Sequence, residues 1–128
     1  MPTNRKLLGS IVVPFPVEAD LSGLSSENRI RIFRMWYRRT FQTPREWKAL
    51  ADDNRVILHF GAVDWESQVW VNGQHMGMHH GGYDKFSYDI TDALTKGTAG
   101  THELIVGVYD PTEFAHIHIA HKGWQTAP

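Results

Sequence analysis

Cysteine is absent from the 128 residues of the chain, so neither a disulfide framework nor thiolate chemistry is available to it. The chain also lacks an excess of positive or negative charge, because 13 basic and 14 acidic side chains leave a formal net charge of −1. This balance excludes the electrostatic footprint of a nucleic-acid or anionic-membrane partner, and we predict neither. No apolar run in the sequence approaches the ~20 residues of a membrane-spanning helix.

The composition that remains is typical of a globular domain. Hydrophobic residues make up 41% of the chain and aromatic residues 12%, which suits a packed core. The length suffices for one domain and not for two, so we predict a single domain over residues 1–128, with an atypical tail from about residue 114. Pro14 and Pro16 break the apolar run near the N-terminus, so we predict no signal peptide. The sequence does not fix the compartment, and of the possible compartments we favour the cytoplasm.

The middle of the chain carries the strongest strand signals. Val56, Leu58 and Phe60 alternate with Ile57 and His59, which is the period of a strand with one buried face. A second apolar run covers residues 69–71 and ends at Asn72-Gly73. Asn-Gly supplies the positive φ angles that a two-residue hairpin turn requires, so this dipeptide predicts a hairpin.

The remaining predicted elements are one helical turn and several short strands. A brief helical turn at 89–94 is predicted, capped by Asp89 or Thr91. Several short strands with little helix predict an antiparallel sandwich or barrel. The further predicted strands are 7–17, which prolines restrict to a sheet edge, 29–41, 86–89 and 103–109.

A candidate sugar site lies where Asp64 and Glu66 flank Trp65, in the predicted loop between the two central strands. A carboxylate accepts hydrogen bonds from hydroxyls, and an indole stacks on the apolar C–H face of a pyranose. His80 and Tyr83, in the predicted glycine-rich loop 79–83, are further candidates for hydrogen bonding or stacking.

Each of these residues also has a purely structural interpretation. The two carboxylates suit a solvated loop, and Trp65 suits the core. Tyr83 suits a buried position that shapes the edge of the sheet. Trp36 and Trp70, in strand patterns, are predicted in the core or in sheet packing.

A metal site is the hypothesis raised by the tail. His116 and His118 are two residues apart and share a face if this segment is a strand, as ligands of zinc, copper or nickel can. The alternative, surface histidines that bind nothing, is favoured, so we predict no metal and no cofactor.

Five motifs occur in an order that resembles the N-terminal sugar-binding domain of glycoside hydrolase family 2, which includes β-galactosidases, β-glucuronidases and β-mannosidases. The similarity runs from about Ile11 to Glu113. It implies an all-β fold, an antiparallel jelly-roll β-sandwich of the galactose-binding-domain type. The motifs are VPFPVEADLSG, WYRRTF, RVILHFGAVDW, VWVNGQHMGMHHGGYDKFSYDIT and ELIVGVYDPTE.

The resemblance also implies where catalysis lies. In the full enzymes an immunoglobulin-like domain and a (β/α)₈ barrel follow, and the barrel carries both catalytic glutamates, so we expect no catalytic residue in this chain. The residue that matches Asp64 lies in a loop that reaches toward the sugar. After Thr112 the sequence departs from the family pattern, which predicts an unpaired sheet edge and, through that edge or through exchange of the tail, a homodimer.

The expected function is therefore non-catalytic binding of a mono- or oligosaccharide, of the β-linked hexoside class. Two alternatives stay open at this point. In the first, the chain is a truncated structural domain that binds nothing alone. In the second, it is a hydrolase whose chemistry depends either on Asp64 and Glu66 or on a metal in the tail.

Overall fold

The computed structural model describes residues 7, 9–17, 19–24, 33–44, 55–95 and 100–110. The chain forms two compact units, residues 1–34 with 110–128 and residues 35–109. The predicted single domain over residues 1–128 stays a prediction. The tail from about residue 114 lies outside the described residues.

The first unit contains a short 3-10 helix, Asp20–Ser22, that ends at Gly23 with a φ of 80°. The backbone N–H of Val12 donates to the carbonyl of Ser22 at 2.9 Å. The strand predicted at 7–17 is wrong for its described residues, where a turn occupies residues 13–15. Pro14 and Pro16 remove two backbone donors within three positions, so a regular ladder cannot form there.

The second unit is a sandwich of two antiparallel sheets, as the sequence predicts. The larger sheet has the strand order β1-β6-β3-β4, and the smaller pairs β2 with β5. The predicted all-β antiparallel fold is confirmed, whereas the jelly-roll connectivity stays a prediction. The elements are β1 (Arg34–Gln42), β2 (Ile57–Phe60), β3 (Glu66–Val71), β4 (Gln74–His80), β5 (Phe86–Asp89), α1 (Thr91–Thr95) and β6 (Thr101–Tyr109).

Strand β3 separates the inside of the sandwich from the outside. Val69 and Val71 are fully buried on its inner face, while Glu66 and Trp70 point to the outer face and are half-buried. Side chains alternate in direction along a strand, and the neighbours Val69 and Val71 point inward. Trp70 therefore packs on the outer surface of the sheet and does not enter the core. Leu58 of β2 contacts the core from the other sheet, as the alternation in its strand predicts.

Two apolar clusters make up the core between the sheets. Met76, Leu58 and Tyr88 contact both clusters and so join them. A Cβ on Gly77 would lie 2.5 Å from the Cε1 atom of Tyr88, so only glycine allows that ring to approach β4. Burial raises the pKa of Tyr88. The clusters are Val71, Ile90, Ala93 and Leu94, and Val69, Val106 and Val108.

Two strand boundaries differ from the prediction. Glu66 is the first residue of β3, not a loop residue, and β4 extends to His80, so the predicted loop begins only at Gly81. The segment QHMGMHH has little apolar alternation and gives a weak strand signal. It becomes a strand because the hairpin turn returns it alongside β3, which supplies the hydrogen bonds.

The predicted Asn-Gly turn is confirmed, with φ angles of 49° at Asn72 and 78° at Gly73. The Asn72 side chain also joins three elements. Its amide nitrogen donates to the Ala93 carbonyl and to Nδ1 of His102, each at 2.9 Å, and its oxygen accepts the Glu103 N–H at 2.9 Å. Nδ1 of His102 accepts this hydrogen bond, and its Nε2 atom is buried with no partner among the described residues.

The helix α1 begins at a capped N-terminus, as predicted. The backbone N–H of Thr91 donates to Oδ1 of Asp89 at 3.0 Å, and Arg55 donates to Oδ2 at 2.6 Å. Hydrogen bonds from Thr91, then from Arg55, lower the pKa of Asp89. Among the described residues, no helix combines the length and hydropathy needed to cross a membrane.

Replacing Asn72 separates the side-chain hydrogen bonds from the turn conformation. Asn72→Gly keeps the positive φ and loses the bonds, so we expect a loss of about 1–3 kcal/mol in the free energy of unfolding. Asn72→Ala adds strain at the left-handed position, about 1–2 kcal/mol more. Urea denaturation of both variants beside the wild type measures this. Wild-type stability in Asn72→Gly would contradict the role of the side chain.

Asp89 predicts a specific acid dependence of stability. Its pKa is lowered in the folded state, so the contribution is present above the unfolded-state pKa and is lost as the pH falls through the folded-state pKa. Asp89→Asn should flatten the fall of unfolding free energy on acidification, measured by urea denaturation across that range. Arg55→Gln should flatten it less, since the bonds from Thr91 remain. Identical curves for the wild type and Asp89→Asn would count against this assignment.

Candidate functional site

Two loops meet at one end of the β3–β4 hairpin. Residues 61–65 connect β2 to β3, and residues 81–85 connect β4 to β5. The carbonyl of Trp65 accepts the Gly81 N–H at 2.9 Å, and the N–H of Trp65 donates to the Tyr109 carbonyl at 3.3 Å. The backbone of Trp65 is thus held from β4 on one side and from β6 on the other.

Asp64 lies directly against the second loop. A Cβ on Gly82 would lie 2.7 Å from Cγ of Asp64 and 2.9 Å from its Oδ1, so the carboxylate occupies the space that any other residue would need. Asp64 is half-buried, and the peptide bond that joins it to Trp65 is cis. The contact between Asp64 and Gly82 fixes the carboxylate next to the backbone of the glycine-rich loop.

Glu66 and His80 face each other across β3 and β4. They are partners in the strand register, and Nε2 of His80 lies 3.2 Å from Oε2 of Glu66. The Gln68 amide donates to Oε1 of Glu66 at 3.4 Å, so both carboxylate oxygens have partners. These three side chains form a polar row on the outer face of the sheet.

The two predicted stacking rings are exposed. Trp65 retains 46% of its surface and Tyr83 retains 61%, on neighbouring loops. The interpretation of Tyr83 as a buried residue that shapes the sheet edge is therefore wrong, and so is a core position for Trp65. Both rings are thus exposed to a considerable extent, and the loops that carry them are hydrogen-bonded to each other.

The structure thus brings the five predicted side chains to one end of the sheet. Their chemistry is an exposed indole and phenol beside two carboxylates and an imidazole, all on a hydrogen-bonded framework. This set can accept and donate hydrogen bonds to hydroxyls and can stack on an apolar ring face. The five are Asp64, Trp65, Glu66, His80 and Tyr83.

The metal candidates His116 and His118 lie outside the described residues. Over the ranges that the structure describes, no three His, Asp or Glu side chains are grouped as ligands of a metal ion. The tail hypothesis therefore stays untested.

Sequence reasoning missed the role of His79. Its ring stacks on Phe86 with centroids 4.1 Å apart, and Phe86 stacks on Phe60 at 4.8 Å. Ser67, its register partner, and His79 each bury a polar atom that has no partner within the described ranges of the chain. The sequence gives no clear signal for this role, because the inward direction of His79 follows only once β4 is known to be a strand.

Fold and candidate site together define the class of this protein: a β-sandwich that carries carboxylates and aromatic rings where two loops meet at one end of a hairpin. The chain belongs to the family described as "Glycosyl hydrolases family 2, sugar binding domain", whose sequence model matches residues 11–118. The resemblance in the sequence motifs is thus confirmed.

Individual relatives are much longer than this chain. A β-glucuronidase of Paenibacillus borealis is 31% identical over 96 residues, which is 73% of this chain and 15% of that protein. A β-galactosidase of Thermoanaerobacter pseudethanolicus is 37% identical over 65 residues, 51% of this chain and 8% of that protein. A solved β-glucuronidase from an uncultured Clostridium species matches with a TM-score of 0.54 at 33% identity, covering 66% of this chain and 14% of that one.

Gly82→Ala tests how the two loops are held together. The added methyl group would overlap the Asp64 carboxylate, so we expect a loss of about 1–3 kcal/mol in unfolding free energy and altered resonances in both loops. Gly61→Ala is the matched control, because a Cβ there would meet no atom of the described residues within 4 Å. Chemical denaturation and backbone NMR measure the two effects. Equal behaviour of the two variants would argue against the contact.

Proposed function

We propose that the chain is a non-catalytic carbohydrate-binding domain that takes β-linked hexosides at the loop end of the β3–β4 hairpin. The observation that carries this proposal is the pair of exposed rings, Trp65 and Tyr83, held beside the carboxylate of Asp64. A hexoside needs both chemistries at once, since one face of the pyranose is apolar and its rim carries hydroxyls.

Each side chain has a distinct role in this proposal. Trp65 stacks on the sugar ring, and Tyr83 contacts it from the second loop. Asp64 accepts hydrogen bonds from hydroxyls. Nε2 of His80 and Oε2 of Glu66 lie 3.2 Å apart, so the two side chains hold each other in place at the edge of the site, where the carboxylate can accept hydrogen bonds from hydroxyls.

The names of the relatives suggest which hexosides to test first. They are β-glucuronidases and a β-galactosidase, so β-glucuronides and β-galactosides head the panel, with glucosides and mannosides beside them. The chain spans 15% of the length of the Paenibacillus enzyme, and the matched family is a sugar-binding domain. We therefore assign binding and not hydrolysis to this chain.

Affinity for a single sugar should be weak. The two rings are largely exposed, so a bound monosaccharide would keep much of its surface in water and its hydroxyls would exchange water for protein. Millimolar dissociation constants correspond to about 4 kcal/mol, which two or three such contacts supply.

The second candidate function is a structural domain that binds nothing alone. The small share of the relatives' length supports it, because a domain of a larger enzyme can serve to brace its neighbours. The predicted homodimer, through a sheet edge or exchange of the tail, also stays a proposal, as does the cytoplasmic location.

An NMR titration with methyl β-glycosides tests the binding proposal. We expect saturable shifts around residues 61–66 and 80–85 in the wild type, and a loss of about tenfold or more in affinity in Trp65→Ala. Trp65→Phe should retain part of the affinity because it keeps an aromatic face.

Ile57→Ala is the matched control, since Ile57 is also an exposed apolar side chain, at 41%, on the other sheet. It should leave the titration unchanged. A folded wild type that gives no shifts with any glycoside of the panel would overturn the binding proposal and favour the structural domain.

A further inference from the structure

The outer face of the larger sheet carries three neighbouring aromatic rings, here called the aromatic strip: Trp36, Trp70 and His75. The centroids of Trp36 and Trp70 are 5.5 Å apart, and those of Trp70 and His75 are 5.1 Å apart. Trp36 retains 38% of its surface although it is a large apolar side chain. The strip lies on the face opposite the buried valines of β3, so it contributes nothing to the core between the sheets.

Trp36 lies flat on the sheet above Gly107. A Cβ on Gly107 would be 2.9, 3.1 and 3.2 Å from three consecutive atoms of the indole six-membered ring. Such similar distances arise only when the point lies over the face of the ring and not beyond its edge. One face of the indole therefore covers the backbone of β6, while the side chain as a whole keeps 38% of its surface exposed. This is the orientation that stacking on a sugar ring requires.

The aromatic strip is continuous with the polar row of the site. Glu66, Gln68 and Trp70 alternate along the outer face of β3, and the Gln68 amide bonds to Glu66 at 3.4 Å. At ~3.3 Å per residue, Glu66 and Trp70 are about 13 Å apart along the strand, which exceeds the length of one pyranose ring. A ligand long enough to follow β3 would meet Glu66 first, then Gln68 with Trp36 beside it on the neighbouring strands, and then Trp70.

We propose that the ligand class of the site is a β-linked oligosaccharide and that the aromatic strip binds its distal units. The inference rests on the proposed sugar site at Asp64 and Trp65, which would hold the first unit. Gln68, Glu66 and His80 offer an amide, a carboxylate and an imidazole to the hydroxyls of the next unit. Trp36 lies over Gly107, the register partner of Gln68, so its flat apolar face lies beside this row. Gln68 is three residues, or about 10 Å along the strand, from Trp65, and a single hexoside held at the loops does not span that distance.

The test compares ligand length in wild type and variants. The probes are methyl β-glycosides and β-1,4-linked gluco-, galacto- and manno-oligosaccharides from the disaccharide to the pentasaccharide, followed by NMR and calorimetry. We expect affinity to rise with length in the wild type. Trp36→Ala should weaken binding of the longer probes roughly two- to tenfold and leave the methyl glycosides unchanged. Trp65→Ala should weaken binding of every probe.

Two further variants keep the test decisive. Trp36→Phe retains a ring and should retain much of the length dependence, while Gly107→Ala should displace the indole and reduce that dependence. Ile57→Ala, an exposed apolar position on the other sheet, should change nothing. If Trp36→Ala does not fold, the wild-type indole N–H of Trp36 decides, because it should shift with tetrasaccharides and not with methyl glycosides.

The outcomes separate this inference from the proposed function. Binding that is equal for all lengths, or length dependence that survives in Trp36→Ala, overturns the role of the strip and leaves the loop site standing. Strip resonances that shift with protein concentration in the absence of sugar would mean that a second copy covers this face, which also overturns it. No binding of any probe overturns the loop site and this inference together.

Discussion

Strand β3 is hydrogen-bonded on both sides, to β4 and to β6, and this double pairing is the constraint on which the rest of the structure depends. It directs Val69 and Val71 into the sandwich and Glu66 and Trp70 to the outside. A slip of one residue would expose the valines and bury the carboxylate, so the register is strongly specified. The same register places Glu66 opposite His80, which means that core and candidate site are fixed by one ladder.

The β3–β4 hairpin is held at both ends by hydrogen bonds, from a side chain at one end and from the backbone at the other. At the turn, Asn72 hydrogen-bonds to α1 and β6 through its side chain. At the other end, the backbone of Trp65 bonds to Gly81 and Tyr109. Rigid support beneath exposed aromatic loops is what a binding site needs, because an ordered site loses less conformational entropy when the ligand binds.

The outer face of the sheet gives the proposed site its length. Glycine at position 107 has no side chain to hold Trp36 away from the backbone, so the indole lies flat over strand β6. The chain belongs to a family of sugar-binding domains and spans 15% of a related enzyme, and the proposed sugar binding is assigned to two neighbouring surfaces. One is the pair of exposed loop rings, and the other is the row from Glu66 to Trp70.

The sequence by itself determined the all-β class, the strand with Leu58 inside, the Asn-Gly turn and the residue types of the site. These features depend on local periodicity and on backbone preferences, which a few neighbouring residues decide. Strand β4, the outward direction of Trp70 and the contact between Asp64 and Gly82 were decided only by the tertiary structure. Each depends on which segment lies alongside β3 or on how closely two distant loops approach, and no local pattern in the chain encodes that distance.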